Sequence, residues 1–570
     1  MNTTTRPFFA SFFSTLALAA AALGQAFEEA MTLVPEDAVG IVTVPSLIRL
    51  NGSLADMLER SGRSEAVIAG RPVDMLAAQL GLSAAFDEHG PFVMWWEGNG
   101  EDEMLVFAVP VADADRFLNA NLTRAEGKGE DAWMWDEELM YARSTGKHVL
   151  LSGNPDTVRN YTPGQGIVKK MREALGETHF GTLAKADMAI WAGPDALREM
   201  QKRGVEGAEL ATNGNAIEGM SPEMTKQFMD RMNGMGEGLE QLAIAIDADA
   251  LAMSTRIITM FDPESMLGKT CAGGTPSGTG KLLDLIPDNP FYVAMGVDIS
   301  GLGGVQRFID LAKMASIENI EVPSWVIDMG NELEGIQFAA FPSKLGIAMG
   351  GIMNDSSLVI KTSRPDMARD LLGKSIEGFS GVSGMTRRIT SWTPDAKLRK
   401  GGTADEFSIK EEMVEKSMRP EGSRSGDWAM QNMINGLVFG PRGMMGLAKE
   451  VPNGLVLTFS RRPDVLQRAI DSASGGQSLA SDPVISAMRG WMVPNPDLEA
   501  FVDIGRIGKL ARQMTKLIPG ANGMPIPIPE NIPPVGFGMS VGDATVEMGI
   551  VVPSEVIGAM VGLSMQRGFN

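Results

Sequence analysis

Short apolar runs of strand length alternate with stretches of helical periodicity along this chain, and five such units recur in the same order in its two halves. The first half opens with Val34-Pro35-Glu36-Asp37, the apolar positions Val39, Ile41, Val42 and Val44, and a helical stretch through Leu47, Leu54 and Leu58. The second opens with Ile286-Pro287-Asp288-Asn289, a run from Phe291 to Val297, and a helical stretch from Val305 to Met314. A two-strand pattern follows in each half, Met104 to Val109 leading to Pro110 and Asp113, and Leu358 to Ile360 leading to Pro365-Asp366. The next pair is His148 to Ser152 with Asn154-Pro155-Asp156, and Leu455 to Ser460 with Arg462-Pro463-Asp464. Each half closes on a strand pair and a helix start, at Phe261-Asp262-Pro263-Glu264 and at Val551-Val552-Pro553-Ser554-Glu555.

The recurring Ser/Thr-x-x-Pro-Asp has a mechanical reading. β-branched and aliphatic residues favour a strand, proline fits a first helical turn where its missing N–H is not needed, and aspartate suits the positive helix N-terminus. Ser152, Thr362 and Ser460 are therefore predicted strand ends, and the Pro-Asp pairs predicted helix starts. Matched spacings agree at first, 75 residues from Pro35 to Pro110 and 78 from Pro287 to Pro365. They then diverge, 45 from Pro110 to Pro155 against 98 from Pro365 to Pro463. The excess predicts an insertion in the second half, placed in the charged stretch 397–427 and expected to be a mobile surface loop. The first half carries an extra piece near Gly204 to Met235.

Ala272 to Gly280, rich in glycine, serine and threonine, has the composition of a flexible linker. The predicted organisation is an α+β chain of two tandem, internally duplicated domains, residues 27–271 and 281–570, joined by the linker 272–280. Mainly antiparallel sheets with helices on one face follow from strand pairs alternating with single helices. Hairpin signals at Trp95 to Gly100 and Ser540 to Thr545 agree.

The N-terminus predicts export. Arg6 precedes an apolar stretch from Phe8 to Leu23, and Gly24-Gln25-Ala26 offers small residues where a signal peptidase reads them, so cleavage is expected after Ala26. The formal charge is −21, and losing Arg6 with residues 1–26 makes it −22. That charge argues against nucleic acid and anionic lipid as partners, since both attract positive stripes. The best later apolar run, Met548 to Met565, contains Pro553 and Glu555, so no transmembrane span is expected in the mature chain. Cys271 is the single cysteine and cannot form an internal disulfide.

Four constellations suggest chemistry, and each fails a physical test. Gly538-Met539-Ser540-Val541-Gly542 matches the Gly-x-Ser-x-Gly nucleophile pattern, yet it lies in an alternating strand and no histidine follows it. Gly280-Lys281 resembles the end of a phosphate loop, but Thr275 and Leu282 stand where glycine and a magnesium-binding hydroxyl belong. His89, His148 and His179 are far apart, and Asp113/Asp115 and Asp247/Asp249 lack the further oxygen ligands of a calcium loop. Met220, Met224, Met229, Met232 and Met235 with Phe228 would form a soft apolar stripe at helical spacing. It reads first as core, then as an apolar-ligand surface, and least as a copper(I) site.

The Val34-Pro35-Glu36-Asp37-Ala38 opening, Ser152-Gly153-Asn154-Pro155-Asp156, and Ile532-Pro533-Pro534-Val535 with Val552-Pro553-Ser554-Glu555 carry a family resemblance. The chain resembles exported bacterial proteins known only as a domain of unknown function, of a kind typical of planctomycete-like bacteria. The resemblance implies location and fold type and brings no catalytic residues. The expectation is a periplasmic or extracellular, non-catalytic structural or interaction protein with no catalytic, cofactor or metal residues. Its partner would be an unknown protein or an apolar small molecule. A carrier of an apolar ligand and a hydrolase with a carboxylate-based site are the alternatives.

Overall fold

The structure, a computed structural model, describes residues 26–62, 85–98, 104–135, 138–164, 166–199, 201–202, 238–274, 282–315, 322–383, 386–399, 401–414, 433, 435–515 and 531–560. The apolar leader, the Met220 to Met235 stripe, Lys281, most of the expected linker and residues 415–427 lie outside that set. The fold is mixed α+β, with an extensive antiparallel sheet and helices packed alongside it. The chain divides into two compact units, residues 1–269 with 544–547 and 552–570, and residues 270–543 with 548–551. The final stretch is thus shared between the units, which departs from the contiguous halves that the linker composition suggests.

The first unit contains β1 (Gly40–Val44), β2 (Phe92–Glu97), β3 (Met104–Pro110), β4 (Thr123–Arg124), β5 (Ala132–Trp135), β6 (Glu138–Ser144), β7 (His148–Ser152), β8 (Met188–Ala192), β9 (Leu239–Ala248) and β10 (Ala252–Phe261). They pair antiparallel in the order β4-β5-β6-β7-β3-β2-β1-β8-β9-β10. Its helices are α1 (Leu47–Arg60), α2 (Ala114–Asn121), α3 (Pro155–Arg159), α4 (Ile167–Leu183) and the start of α5 (Met266–Ala272). All five residues of β7 are buried, and its three apolar residues divide between two cores. Leu150 joins Phe27, Met31, Trp95, Trp191 and Met171 of α4, while Val149 and Leu151 join Phe117 of α2 and Trp133. Adjacent strand residues face opposite ways, so both faces of this sheet are covered. The expectation of helices on one face does not hold here, because a strand buried on both sides shows a continuous apolar run instead of alternation.

The second unit contains β11 (Val293–Asp298), β12 (Leu333–Ala340), β13 (Ser357–Thr362), β14 (Gly381–Ser383), β15 (Thr386–Lys397), β16 (Thr403–Met413), β17 (Met444–Val451), β18 (Gly454–Thr458), β19 (Leu498–Val502) and β20 (Val535–Gly542), followed by β21 (Thr545–Pro553). The antiparallel order is β14-β15-β16-β17-β18-β13-β12-β11-β19-β20. Its helices are α6 (Val305–Ala315), α7 (Ser324–Met329), α8 (Ile347–Gly350), α9 (Pro365–Gly378), α10 (Pro463–Ala473), α11 (Pro483–Arg489) and α12 (Ile504–Thr515).

Pro155, Pro365 and Pro463 open α3, α9 and α10, while Pro110 ends β3. The serine or threonine three residues before each helix-opening proline caps the turn. Ser152 Oγ accepts the Asn154 N–H at 3.2 Å, Thr362 Oγ1 the Arg364 N–H at 3.0 Å, and Ser460 Oγ the Arg462 N–H at 3.3 Å. These buried hydroxyls supply an acceptor as the strand ladder stops, so the motif turns the chain before proline starts the helix.

The stretch 397–427 is not simply a surface loop. Residues Thr403–Met413 form β16, paired between β15 and β17. Phe407 is buried, stacks on Trp392 with ring centroids 6.3 Å apart, and meets Phe459 edge-on at 6.1 Å. The charge that suggested a loop is partly internal: buried Asp405 receives Arg369 of α9, with Nη2 to Oδ1 at 2.6 Å.

Candidate functional site

Both units place a buried aspartate at the residue preceding a central strand. In the first unit this is Asp187, before β8. Its Oδ2 accepts the Ala248 N–H at 2.9 Å, tying down the end of β9, and its Oδ1 lies 2.8 Å from Nε of Arg49 in the first turn of α1. Ser46 caps that helix, its Oγ accepting the Arg49 N–H, which fixes where the arginine emerges. Asp247 lies beside Asp187 and receives its backbone N–H. Burial, then the Asp187 charge, pushes the Asp247 carboxyl up to about 6 against the pull of Arg49 and Arg256. Burial also raises Asp187, opposed by the Ala248 N–H and Arg49.

In the second unit Asp497 precedes β19, and its Oδ2 accepts the Val541 N–H at 2.8 Å. Arg307, in the first turn of α6, supplies the nearby positive charge. The second carboxylate now comes from the end of β11. Asp298 Oδ1 accepts from Ser300 Oγ at 2.7 Å and from the Gly301 N–H at 2.8 Å. Burial lifts Asp497 to about 6; the Val541 N–H and Arg307 work against that, and Asp298 adds to it. Arg307 donates from Nε to the Thr270 carbonyl, and burial lowers its pKa.

Chemically, each constellation can hold a proton near pH 6. None of these aspartates lines either of two clefts in the second unit. One, of about 200 Å³, is walled by Pro287, Pro290, Phe341, Pro342 and Val465. The other, of about 250 Å³, lies against Tyr292, Ile347, Leu510 and Arg506. Arg506 is committed to buried Asp503 by an ion pair.

The residues singled out from sequence go elsewhere. Ser540 lies in β20. His148 begins β7 with Nε2 3.1 Å from the Pro91 carbonyl oxygen, its pKa lowered by burial, and His89 sits exposed beside Asp87. His179 is on α4. Asp113 caps α2, its Oδ1 accepting the Arg116 N–H at 2.9 Å, and Asp115 follows in its first turn. Asp249 closes the turn between β9 and β10 by accepting the Leu251 and Ala252 N–H groups, so only Asp247 of that pair joins a constellation. Cys271 is a buried free thiol whose pKa burial raises. Among the described residues no group of three or more His, Cys, Asp or Glu could hold a metal ion, and no helix is long and apolar enough to cross a membrane. Asp187, Asp497, Arg49 and Arg307 had a readable signal: aligning Ala186-Asp187-Met188 with Pro496-Asp497-Leu498, and Ser46-Leu47-Ile48-Arg49 with Gly304-Val305-Gln306-Arg307, pairs them.

The comparisons with protein families, with curated proteins and with solved structures find no match to this chain.

Proposed function

We propose that the chain is an exported, non-catalytic scaffold built from two copies of one α+β unit, working in the periplasm or outside the cell by binding a partner. The duplication is supported by strand order: β6-β7-β3-β2-β1-β8-β9 runs as β17-β18-β13-β12-β11-β19-β20 does. The observation that carries the non-catalytic reading is the repeated aspartate that binds a strand-end N–H opposite a helix-start arginine. In both units a buried aspartate whose pKa burial raises serves the same architectural joint, which is how a scaffold uses charge. Membership of the exported family named for its resemblance is part of this proposal.

Native mass spectrometry of protein purified from its own host tests it. A bound protein or small molecule, recovered unchanged, is the expected result. Turnover of a hydrolase substrate panel, abolished by Asp497→Asn, would replace it with the carboxylate-based hydrolase.

A further inference from the structure

We propose that the cleft of about 200 Å³ in the second unit binds a carboxylate carried on a short apolar stem. Asn289 and Ser357 are among its polar residues, and its apolar wall residues are Pro287, Pro290, Phe341, Pro342 and Val465. Three of these five are prolines, which are rigid and carry no N–H, so an apolar group entering the cleft leaves no wall proline amide unsatisfied and orders little side-chain freedom. The volume suits one side-chain-sized group, since cavities of about 150 Å³ already take up benzene.

Two cations give the ligand its charge. Lys344 and Arg468 both line this cleft. Among the described residues neither has a carboxylate within ion-pair distance; the side chain of Arg468 donates only to the Asp464 carbonyl, at 3.3 Å. In a chain with formal charge −21, most arginines near carboxylates are taken up by them, as Arg462 is by Asp464 and Asp355. Two cations with no ion pair among the described residues, Lys344 and Arg468, the latter acting on the Asp464 carboxylate only at longer range, therefore mark a place on this cleft where negative charge can be supplied from outside. Asp355 also lines the cleft; its Oδ2 accepts the Lys344 N–H at 3.1 Å and lies 3.4 Å from Arg462 Nη1, whose charge offsets that of the carboxylate. That bond anchors the Lys344 backbone, while the Lys344 side chain is exposed and can meet a ligand.

Two sources share this chemistry, a free amphiphilic acid and the C-terminal residue of a polypeptide, which other proteins capture through its carboxylate. The site deepens the scaffold reading by naming a ligand class, and rests on it only in that the ligand should leave unaltered.

The test is calorimetric titration of the full mature chain with N-acetyl-leucine, with N-acetyl-leucinamide, and with a hexapeptide ending in leucine as free acid or as amide. Binding of an acid form, weakened roughly tenfold or more in the matching amide and in Lys344→Gln or Arg468→Gln, is the expected result, the scale of one charge-assisted hydrogen bond. Preference for N-acetyl-leucine over the peptide assigns a free acid, and the reverse assigns a polypeptide terminus. No heat from any acid at millimolar concentration, equal binding of acid and amide, or unchanged binding in both variants with native circular dichroism overturns the site. Binding with chemical conversion of the ligand, read by mass spectrometry, would leave the site standing and remove the non-catalytic reading.

Discussion

Asp247 and Asp497 hold their protons more tightly in the folded chain, at about 6, than the 3.8 of an unhindered carboxyl. The folded state therefore takes up protons that the unfolded chain does not bind until lower pH. The sign follows: the contribution is fully present below 3.8 and is lost as pH rises through about 6. Asp366 and Asp464 act oppositely, held down by Arg364 and Arg462, so their contribution is present above 3.8 and disappears only in stronger acid. Stability should peak between these limits, with a thermal midpoint at pH 5 several degrees above that at pH 7.5, read by scanning calorimetry. Asp497→Asn should raise the midpoint at pH 7.5 by about 2 °C or more, raise it by a smaller amount at pH 5, where part of the penalty is already present, and leave it unchanged well below 3.8. An unchanged or lowered midpoint at pH 7.5 would mean that the Val541 N–H and the nearby Arg307 charge outweigh desolvation. Neither Asp187 nor Asp497 was legible alone, because the burial of each is made by strands distant in sequence. Asp187 meets Ala248 across 61 residues, and Asp497 meets Val541 across 44.

Elements were legible where the signal is local. Ser152-Gly153-Asn154-Pro155-Asp156 contains its own turn acceptor, its own helix cap in Asn154 and its own helix-starting proline, so β7 and α3 end and begin as read. β16 was hidden because its apolar residues are few and its partners are not its neighbours. Phe407 lies opposite Gly446 of β17, and a Cβ at Gly446 would come within 2.3 Å of the Phe407 ring and 2.0 Å of the Thr458 carbonyl oxygen. The glycine thus leaves space for an aromatic ring that only the paired strand reveals. Gly446→Ala should cost about 3 kcal/mol, near the upper range for overpacking, since both the ring and a strand backbone must move. Urea unfolding measures it; a loss under 1 kcal/mol would show that Phe407 has another place to go, and the Trp392 and Phe459 contacts say it has little room.

Whole-molecule organisation turns on both ends of the described chain. Phe27 is fully buried against Phe180, ring centroids 5.8 Å apart, in the same core as Trp95 and Trp191. Processing after Ala26 keeps this side chain, whereas cutting one residue later removes it and leaves a cavity costing about 3–5 kcal/mol. If the proposed export holds, N-terminal sequencing of the mature chain should begin at Phe27; a start at Glu28 would mean that the core closes without it.

The other end decides how the units can be separated. Residues 544–547 and 552–570 belong to the first unit, where Phe261 donates its N–H to the Ala544 carbonyl at 2.9 Å and Ser554 donates to that of Leu251 at 3.0 Å. Glu547 stands 4.0 Å from Arg256, and Glu555 lies 3.7 Å from Arg60. Cutting within 272–280, where composition marks a linker, removes these partners and leaves β10 with unpaired polar groups on one side. Each buried group left without its hydrogen bond costs about 1–3 kcal/mol, so a few such losses consume much of a domain's ~5–15 kcal/mol. A fragment of residues 27–269 should accordingly unfold at a markedly lower temperature than the same fragment with 544–560 fused to its end through a glycine linker. Circular dichroism melts of the two fragments give the comparison. Equal midpoints would mean that the closing segment adds nothing to the first unit, and the simple tandem arrangement of 27–271 and 281–570 would then describe how the chain folds.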